Sequence, residues 1–437
     1  MNYDASPGFA QSADEIDPLR GFRSRFALPR DAQGRELLYF AGHSLGAMPL
    51  DARTALNEEL DDWARFGVFG HEESRRPWIP YHENLTAGLS ELAGAKPDEV
   101  VAMNSLTANI HMMLASFYRP AGERRKILIE AGAFSSDRHA VASQIAWHGL
   151  DPNAELIELA PEAGEDLVAE SAIEAVLERD GAHIALVLWP GVQFRTGQAF
   201  DLARIARAAH RVGALAGFDL AHSMGNTPLA LHDADADFAV WCSYKYLNAG
   251  PGAIGGVFVH ERHVDSRPRL SGWWGHDAST RFQMKPEFRP HAGAAGWAVS
   301  NPSIFAAAPL IASLALFREA RFERLRQKSV ELTGYLEFLL DRKTPAAHAS
   351  TAGRPGDAAI GPFVQLITPR DPQARGCQLS FRIPGAGRGA KVFQALTANG
   401  VACDWREPDV IRAAPVPLYN TFEDVFHFAE KVRAALT

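Results

Sequence analysis

From about residue 100 the chain alternates short apolar runs with stretches of helical spacing, and this rhythm limits the fold more than any other feature. Lys126–Glu130 and His183–Trp189 read as buried parallel strands. Asp201–His210 reads as a helix with Leu202, Ile205, Ala206 and Ala209 inward and Gly213 as its stop. Ala214–Leu220, Phe238–Ser243 and Gly256–His260 continue the strand series. Runs buried on both faces and joined by crossover helices predict an α/β fold with a mostly parallel central sheet. Ligands of such sheets gather at the carboxyl ends of the strands.

The flanks have a different texture. Residues 1–50 read as an irregular arm that ends in Leu38-Tyr-Phe-Ala-Gly-His43-Ser44-Leu-Gly46. Asp51 is the expected cap of a helix with Leu56, Leu60, Trp63 and Phe66 on one face, followed by a loop from Gly67 to Pro77. Arg321–Asp341 reads as a long helix leading into a smaller unit, and Lys343–Pro362 as a mobile surface loop. Beyond it, Cys377–Ile383, Val401 and the region of Ile411 read as strands, with helices at Ala390–Asn399 and Phe422–Leu436. A chain of 437 residues is long enough for one large and one small domain. The expected division is an arm (1–50), a large domain (51–320) and a small α+β C-terminal domain (321–437).

Two residues in the sheet region suggest a chemistry. Asp237-Phe-Ala-Val-Trp-Cys-Ser-Tyr-Lys245 is a strand run that ends on a lysine, and Gly250-Pro-Gly-Ala-Ile-Gly-Gly follows it. The preceding strand ends in Phe218-Asp219-Leu-Ala-His222, 26 residues before the lysine (245 − 219) and one strand-plus-crossover away. An aspartate at a strand end often just caps a turn, and most lysines are simply solvated. At neighbouring strand ends, with His222 and Tyr244 close by, the pair suits pyridoxal 5′-phosphate. A carboxylate keeps a pyridine nitrogen protonated, and a lysine holds the aldehyde as a Schiff base.

Other segments fit the same site less specifically. Asn104-Ser-Leu106-Thr107 enters an apolar helix whose first turn suits a phosphate, although plain N-capping explains it as well. Phe134 in Ala131-Gly-Ala-Phe134-Ser135-Ser136-Asp137 reads either as a ring-stacking residue or as core. Arg412 lies in an otherwise apolar strand, where a guanidinium needs either an internal carboxylate or that of a substrate.

Composition narrows the classes. The formal charge of −8 argues against a nucleic-acid partner. Three cysteines without a CxxC argue against a disulfide scaffold and fit a cytoplasmic, reducing setting. No secretory leader is visible. The most apolar run, Ala306–Phe317, is too short for a bilayer and is expected to break at Pro309, so no membrane role is expected. No metal-ligand spacing stands out.

Taken together, FDLAHSMGNTPLALHD, CSYKYLNAGPGAIGG, GWWGHDASTRF, PGVQFRTGQ and APVPLYN make the chain resemble kynureninase, of the class V branch of fold-type I pyridoxal phosphate enzymes. The likeness runs from Tyr39 to the last helix. It implies a transferase-like fold with the cofactor on the large domain, and an arm that adds to the small domain and the active site. Lys245 would hold the cofactor, Asp219 would pair with its nitrogen with His222 behind it, and Phe134 would stack on the ring. Leu106, Thr107, Ser135, Ser136 and Asp137 would line the phosphate and ring-hydroxyl side, and Tyr244 would contact the phosphate and move protons. Trp273 and Asn301 would reach in from the second subunit of a homodimer with shared active sites. Arg412 would clamp the carboxylate of an amino-acid substrate, while Ser44, His71 and Asn301 would border its aryl group. The implied reaction is hydrolysis of the Cβ–Cγ bond of L-kynurenine or 3-hydroxy-L-kynurenine to L-alanine and an anthranilate.

Two departures are visible. The family's Gly-Asn-Ser-Leu-Gly is Gly42-His43-Ser44-Leu45-Gly46 here, and Pro190 stands where a hydroxyl residue often precedes Gly191. His43 motivates one alternative, a kynureninase for a ring-substituted, for example methylated, substrate. Another class V reaction and a non-catalytic amino-acid sensor are the remaining alternatives.

Overall fold

The computed structural model describes residues 2–341 and 364–436, so the stretch Lys343–Pro362 lies outside the described residues. The chain divides into two compact units, residues 48–194 with 198–322, and residues 1–47 and 195–197 with 323–437.

The first unit is built on seven strands: β1 (Val100–Ala102), β2 (Lys126–Glu130), β3 (Leu156–Leu159), β4 (Ile184–Pro190), β5 (Leu215–Asp219), β6 (Phe238–Trp241) and β7 (Gly256–Val259). Their order is β1-β7-β6-β5-β4-β2-β3. The five from β6 to β3 run parallel, and β7 is antiparallel to both β6 and β1. Parallel strands lie between helical layers, so they must be apolar on both faces. From Ile184 to Trp189 every residue of β4 is buried. The buried polar exceptions are Glu130 and Asp219, the last residues of β2 and β5; Lys126 is half-buried and Glu158 of the edge strand β3 is exposed.

The helices of this unit include α1 (Leu50–Phe66), α2 (Leu106–Phe117), α3 (Ser135–Trp147), α4 (Leu202–Arg211) and α5 (Ile304–Ala320). In α4 the Asp201 carboxylate accepts the Arg204 N–H at 3.0 Å, and Leu202, Ile205, Ala206 and Ala209 are buried. Gly213, at φ 79°, follows as the expected stop. No helix among the described residues is long and apolar enough to cross a membrane.

Several local expectations are corrected. The 1–50 arm carries a helix at Pro7–Ile16, where Ser6 accepts the Phe9 N–H at 3.3 Å and proline takes the first turn. The expected loop at Gly67–Pro77 contains helical turns at Gly67–Phe69 and Gly70–Glu73. Pro49, not Asp51, stands at the start of α1, which buries Ala52, Ala55, Glu59 and Asp62. Leu60 and Trp63 face outward instead. Glu59 tolerates burial because Arg76, Tyr81 and Trp78 donate to it at 2.7, 2.9 and 3.2 Å. Pro309 does not break the apolar run but lies inside α5, whose burial on most positions outweighs one missing N–H bond.

The second unit centres on β8 (Gln365–Leu366), β9 (Leu379–Arg382), β10 (Asp404–Arg406) and β11 (Val410–Ala413). Their order is β8-β9-β11-β10 and every pairing is antiparallel. The helices are α6 (Phe322–Asp341), α7 (Arg388–Ala398) and α8 (Phe422–Leu436). A short parallel pairing sets Leu38–Tyr39 beside Val401–Ala402. It is extended by Phe40 N–H to Ala402 O at 2.7 Å and Ala414 N–H to Phe40 O at 2.9 Å. Asn420 ties the APVPLYN run to the same segment: it accepts the Val416 N–H at 2.8 Å and donates to Tyr39 O at 3.1 Å. Contact here is so close that a Cβ on Gly42 would sit 2.3 Å from the Tyr419 hydroxyl and 2.6 Å from Val416 Cγ2.

Candidate active site

Three acidic side chains and one lysine meet at the carboxyl ends of β2, β5 and β6. They line a cleft of about 340 Å³ together with Leu106, Phe134, Pro190, Phe194 and His222. Lys245 lies four residues beyond the end of β6 and is buried. Its Nζ is 3.1 Å from His222 Nε2. His222 therefore meets the lysine amine, a contact the sequence reading did not assign to it. Asp219 is fixed by the Ala221 N–H, which donates to Oδ1 at 2.7 Å.

The electrostatics are unusual for a resting surface. Asp137, in the first turn of α3, is hydrogen-bonded to Asp219 and accepts from the Ser136 hydroxyl at 3.1 Å. Burial and then the neighbouring Asp219 push its carboxyl well above the usual range. Glu130 is pushed up to about 8, first by burial and then by Asp219, with the Gln193 amide opposing the shift from 3.4 Å. Three carboxyls on one wall cannot all ionise without a cationic partner. Tyr244 has its ring 6.0 Å from Lys245 Nζ, and burial raises its phenol so that the proton stays on at neutral pH. Phe134 sets its ring 5.8 Å from the same nitrogen and edge-on to Phe194 at 5.3 Å.

This donor set fits pyridoxal phosphate. The carboxyl pair suits a protonated ring nitrogen, Lys245 an aldehyde, and Phe134 an aromatic face. The caps of α2 (Ser105) and α3 (Phe134) make no side-chain bond to the helix. Backbone N–H groups of the first turns, where Leu106, Thr107, Ser135 and Ser136 sit, are therefore open to an anion.

The remaining expected residues are elsewhere. Trp273 is half-exposed, donates to Arg281 O at 3.2 Å and borders a separate cleft with Phe288. Asn301 lines a second cleft with Trp274 and with His82, whose imidazole burial pushes down to about 4. His71 is exposed and edge-on to Trp78 at 5.5 Å. None of these three lines the Lys245 cleft of its own chain. Ser44 and Arg412 belong to the second unit, where Ser44 is exposed. Arg412 is 1% exposed and ion-paired with Asp404 on the adjacent strand, so the internal partner weighed for it exists.

Sequence reasoning missed Glu130 and Gln193. The signal for Glu130 was present, since it ends an apolar strand as Asp219 does. Elsewhere, Glu99, His232 and His260 bring metal-ligand atom types together. Glu99 already accepts the backbone N–H of Lys96 and Glu261 at 3.0 and 2.9 Å, and His260 Nδ1 that of Arg262 at 3.2 Å, so these groups serve as a structural hub.

The model "Aminotransferase class-V" matches residues 55–354, and "Kynureninase C-terminal domain" matches residues 325–432. A kynureninase of Xanthomonas campestris pv. campestris (strain B100) is 52% identical over 98% of this chain and 97% of its own. One from Myxococcus xanthus (strain DK1622) is 51% identical, again over 98% and 97%. Among solved structures, a cystine C–S lyase in complex with its product cysteine persulfide superposes with a TM-score of 0.74 at 20% identity, covering 91% of this chain and 97% of that one. A cysteine desulfurase of Escherichia coli gives 0.73 at 18% identity, covering 96% and 99%. These distant structures share the fold, that of fold-type I pyridoxal phosphate enzymes. On a family match across most of its length and on relatives half identical from end to end, the chain belongs to the kynureninase family.

Proposed function

We propose that this protein hydrolyses the Cβ–Cγ bond of L-kynurenine, 3-hydroxy-L-kynurenine or both, releasing L-alanine and anthranilate or its 3-hydroxy form. The observation that carries the reading is the Lys245 amine, 3.1 Å from His222 and beside the Asp219–Asp137 pair, in a chain 52% identical to a kynureninase. The cofactor is pyridoxal 5′-phosphate. When bound, it draws electrons from the substrate's α-carbon and makes the neighbouring carbon–carbon bond cleavable.

The chain's own groups take the following roles. Lys245 Nζ would hold the cofactor at rest; once free, it takes the substrate's α-proton and returns it to the α-carbon before L-alanine leaves, and His222 Nε2 is near enough to share that proton. Asp219, hydrogen-bonded to Asp137, would keep the ring nitrogen protonated, and Phe134 would supply an aromatic face for the ring. The first turns of α2 and α3, with Thr107, Ser135 and Ser136, hold the phosphate. Water adds at the γ-carbonyl carbon. As the Cβ–Cγ bond breaks, its electron pair goes to Cβ, and the Tyr244 phenol, kept protonated by burial, gives Cβ its proton. Arg412 takes the α-carboxylate. Ser44, His71 and Asn301 border the aryl group, and the His71 imidazole meets a 3-hydroxyl where one is present.

We further assign residues 51–320 as the cofactor domain, 321–437 as the small domain and 1–50 as its arm. Trp273 and Asn301 act in the active site of a partner copy. Support for a homodimer comes from exposed apolar side chains on the first unit: Leu60, Trp63, Val68, Phe69 and Phe305 are exposed, and the Trp63 ring lies tilted against Phe305 at 6.0 Å. Cytoplasmic residence accords with three free cysteines.

Desulfuration is disfavoured because it needs a reactive, accessible thiol. Burial raises the Cys242 thiol and lifts that of Cys403 to about 12. The deciding experiment is a product assay with kynurenine, 3-hydroxykynurenine and ring-methylated analogues. Release of alanine and an anthranilate is expected. A yellow protein that binds kynurenine without cleaving it refutes the proposal, and cleavage of the methylated compound alone favours the specialised alternative that His43 suggested.

A further inference from the structure

One carboxylate oxygen in the second unit collects three basic side chains. Asp404 stands opposite Arg412 in the β10–β11 pairing and forms an ion pair with its Nη2. The same Oδ2 is 3.0 Å from Arg406 Nη2 and 3.4 Å from His43 Nε2. Arg412 and His43 are buried, while Arg406 is partly exposed. A buried guanidinium requires an anion, and Asp404 supplies it before any substrate arrives. A guanidinium is a planar fork, so pinning one Nη fixes the plane of the whole group.

We propose that Asp404 is a positioning residue that orients Arg412 for the substrate's α-carboxylate, and that His43 and Arg406 hold Asp404 in place. This inference rests on the reading that Arg412 binds that carboxylate. It gives His43 a role in which its Nε2 buttresses an acid rather than touching the aryl group.

The test uses the cofactor-loaded full chain. Asp404→Asn keeps the shape and removes the charge. Its KM for kynurenine should rise roughly 10-fold or more, as for loss of a charged hydrogen bond, while kcat falls far less and the cofactor's visible absorbance is unchanged. His43→Ala should move KM in the same direction by a smaller factor, and the double variant should add little to Asp404→Asn alone. Inhibition by a substrate analogue lacking the α-carboxylate should be the same in parent and variants, which a general structural defect does not allow. An unchanged KM in Asp404→Asn overturns the proposal. So does a lowered KM, which would make Asp404 a competitor of the substrate. Arg412→Lys is measured alongside: if it leaves KM unaltered, the carboxylate-binding reading itself is wrong. If it raises KM while Asp404→Asn does not, only the positioning role fails. Should Asp404→Asn not fold, Asp404→Glu shifts the same charge by one methylene and must raise KM with the absorbance retained, or the proposal falls.

Discussion

Replacing Glu130 by glutamine should stabilise the cofactor-stripped protein, and increasingly so as pH rises. In the folded chain this carboxyl titrates near 8, against 4.5 ordinarily, chiefly because it is buried and secondly because Asp219 is close. Between those values the folded state keeps a proton that the unfolded chain has released. Unfolding therefore releases a proton, and stability falls with rising pH at about 1.4 kcal/mol per unit. Below 4.5 both states are protonated and the group contributes nothing; above 8 both are ionised and the penalty is complete, at most about 5 kcal/mol. Glutamine cannot ionise but keeps an oxygen for the Gln193 amide that donates to Glu130. Asp137 is also raised in part by Glu130, so its relief in the variant adds with the same sign. Urea unfolding followed by tryptophan fluorescence, at constant ionic strength and at about pH 5, 6.5 and 8, reads the difference directly. The two proteins should nearly coincide at the acid end and separate by several kcal/mol at the alkaline end. Curves that stay parallel, or a gap that narrows with pH, would show that Glu130 is ionised in the fold.

Three shorter expectations follow from the same site and surface. Lys245→Ala should abolish kynurenine turnover and the borohydride-stable attachment of cofactor to the chain seen by mass spectrometry; retained turnover dismisses the lysine's role. Tyr244→Phe should lower kcat by roughly 10² or more with little change in KM, as expected for loss of a general acid, and an undiminished kcat transfers that role to another group. Trp63→Glu should shift the assembly toward monomers in light scattering and lower activity with it, whereas an unchanged mass leaves the apolar face without its proposed partner.

The strand ends were legible because their polarity is costly to explain otherwise. A lysine and an aspartate that close wholly apolar runs must be paid for by partners, and the parallel sheet brings such ends to one edge. Lys245 and Asp219 were read this way, and Glu130 yields to the same logic. Helix α4 was legible for a similar reason, since its cap, its inward face and its glycine stop agree with one another. Helix α1 was misread because periodicity reports which residues share a face, not where that face points. Its apolar stripe turned outward and a hydrogen-bonded glutamate turned in.

What the sequence withholds is the pairing of charges brought together by strand register. Arg412 was read correctly as needing an anion, but nothing local distinguishes an anion of the fold from one of a ligand. Asp404 precedes it by eight residues, a separation that on a helix would bring no contact. Only the antiparallel return of β10 into β11 sets the two opposite each other. His43 joins the same acid from more than three hundred residues away, through the pairing of Leu38–Tyr39 with Val401–Ala402. The histidine that replaces asparagine in the early motif is thus accounted for by a contact no linear reading contains. It follows that a departure from a family motif cannot be assigned to substrate choice until its folded neighbours are known, because here a carboxylate of the chain itself lies 3.4 Å from the ring.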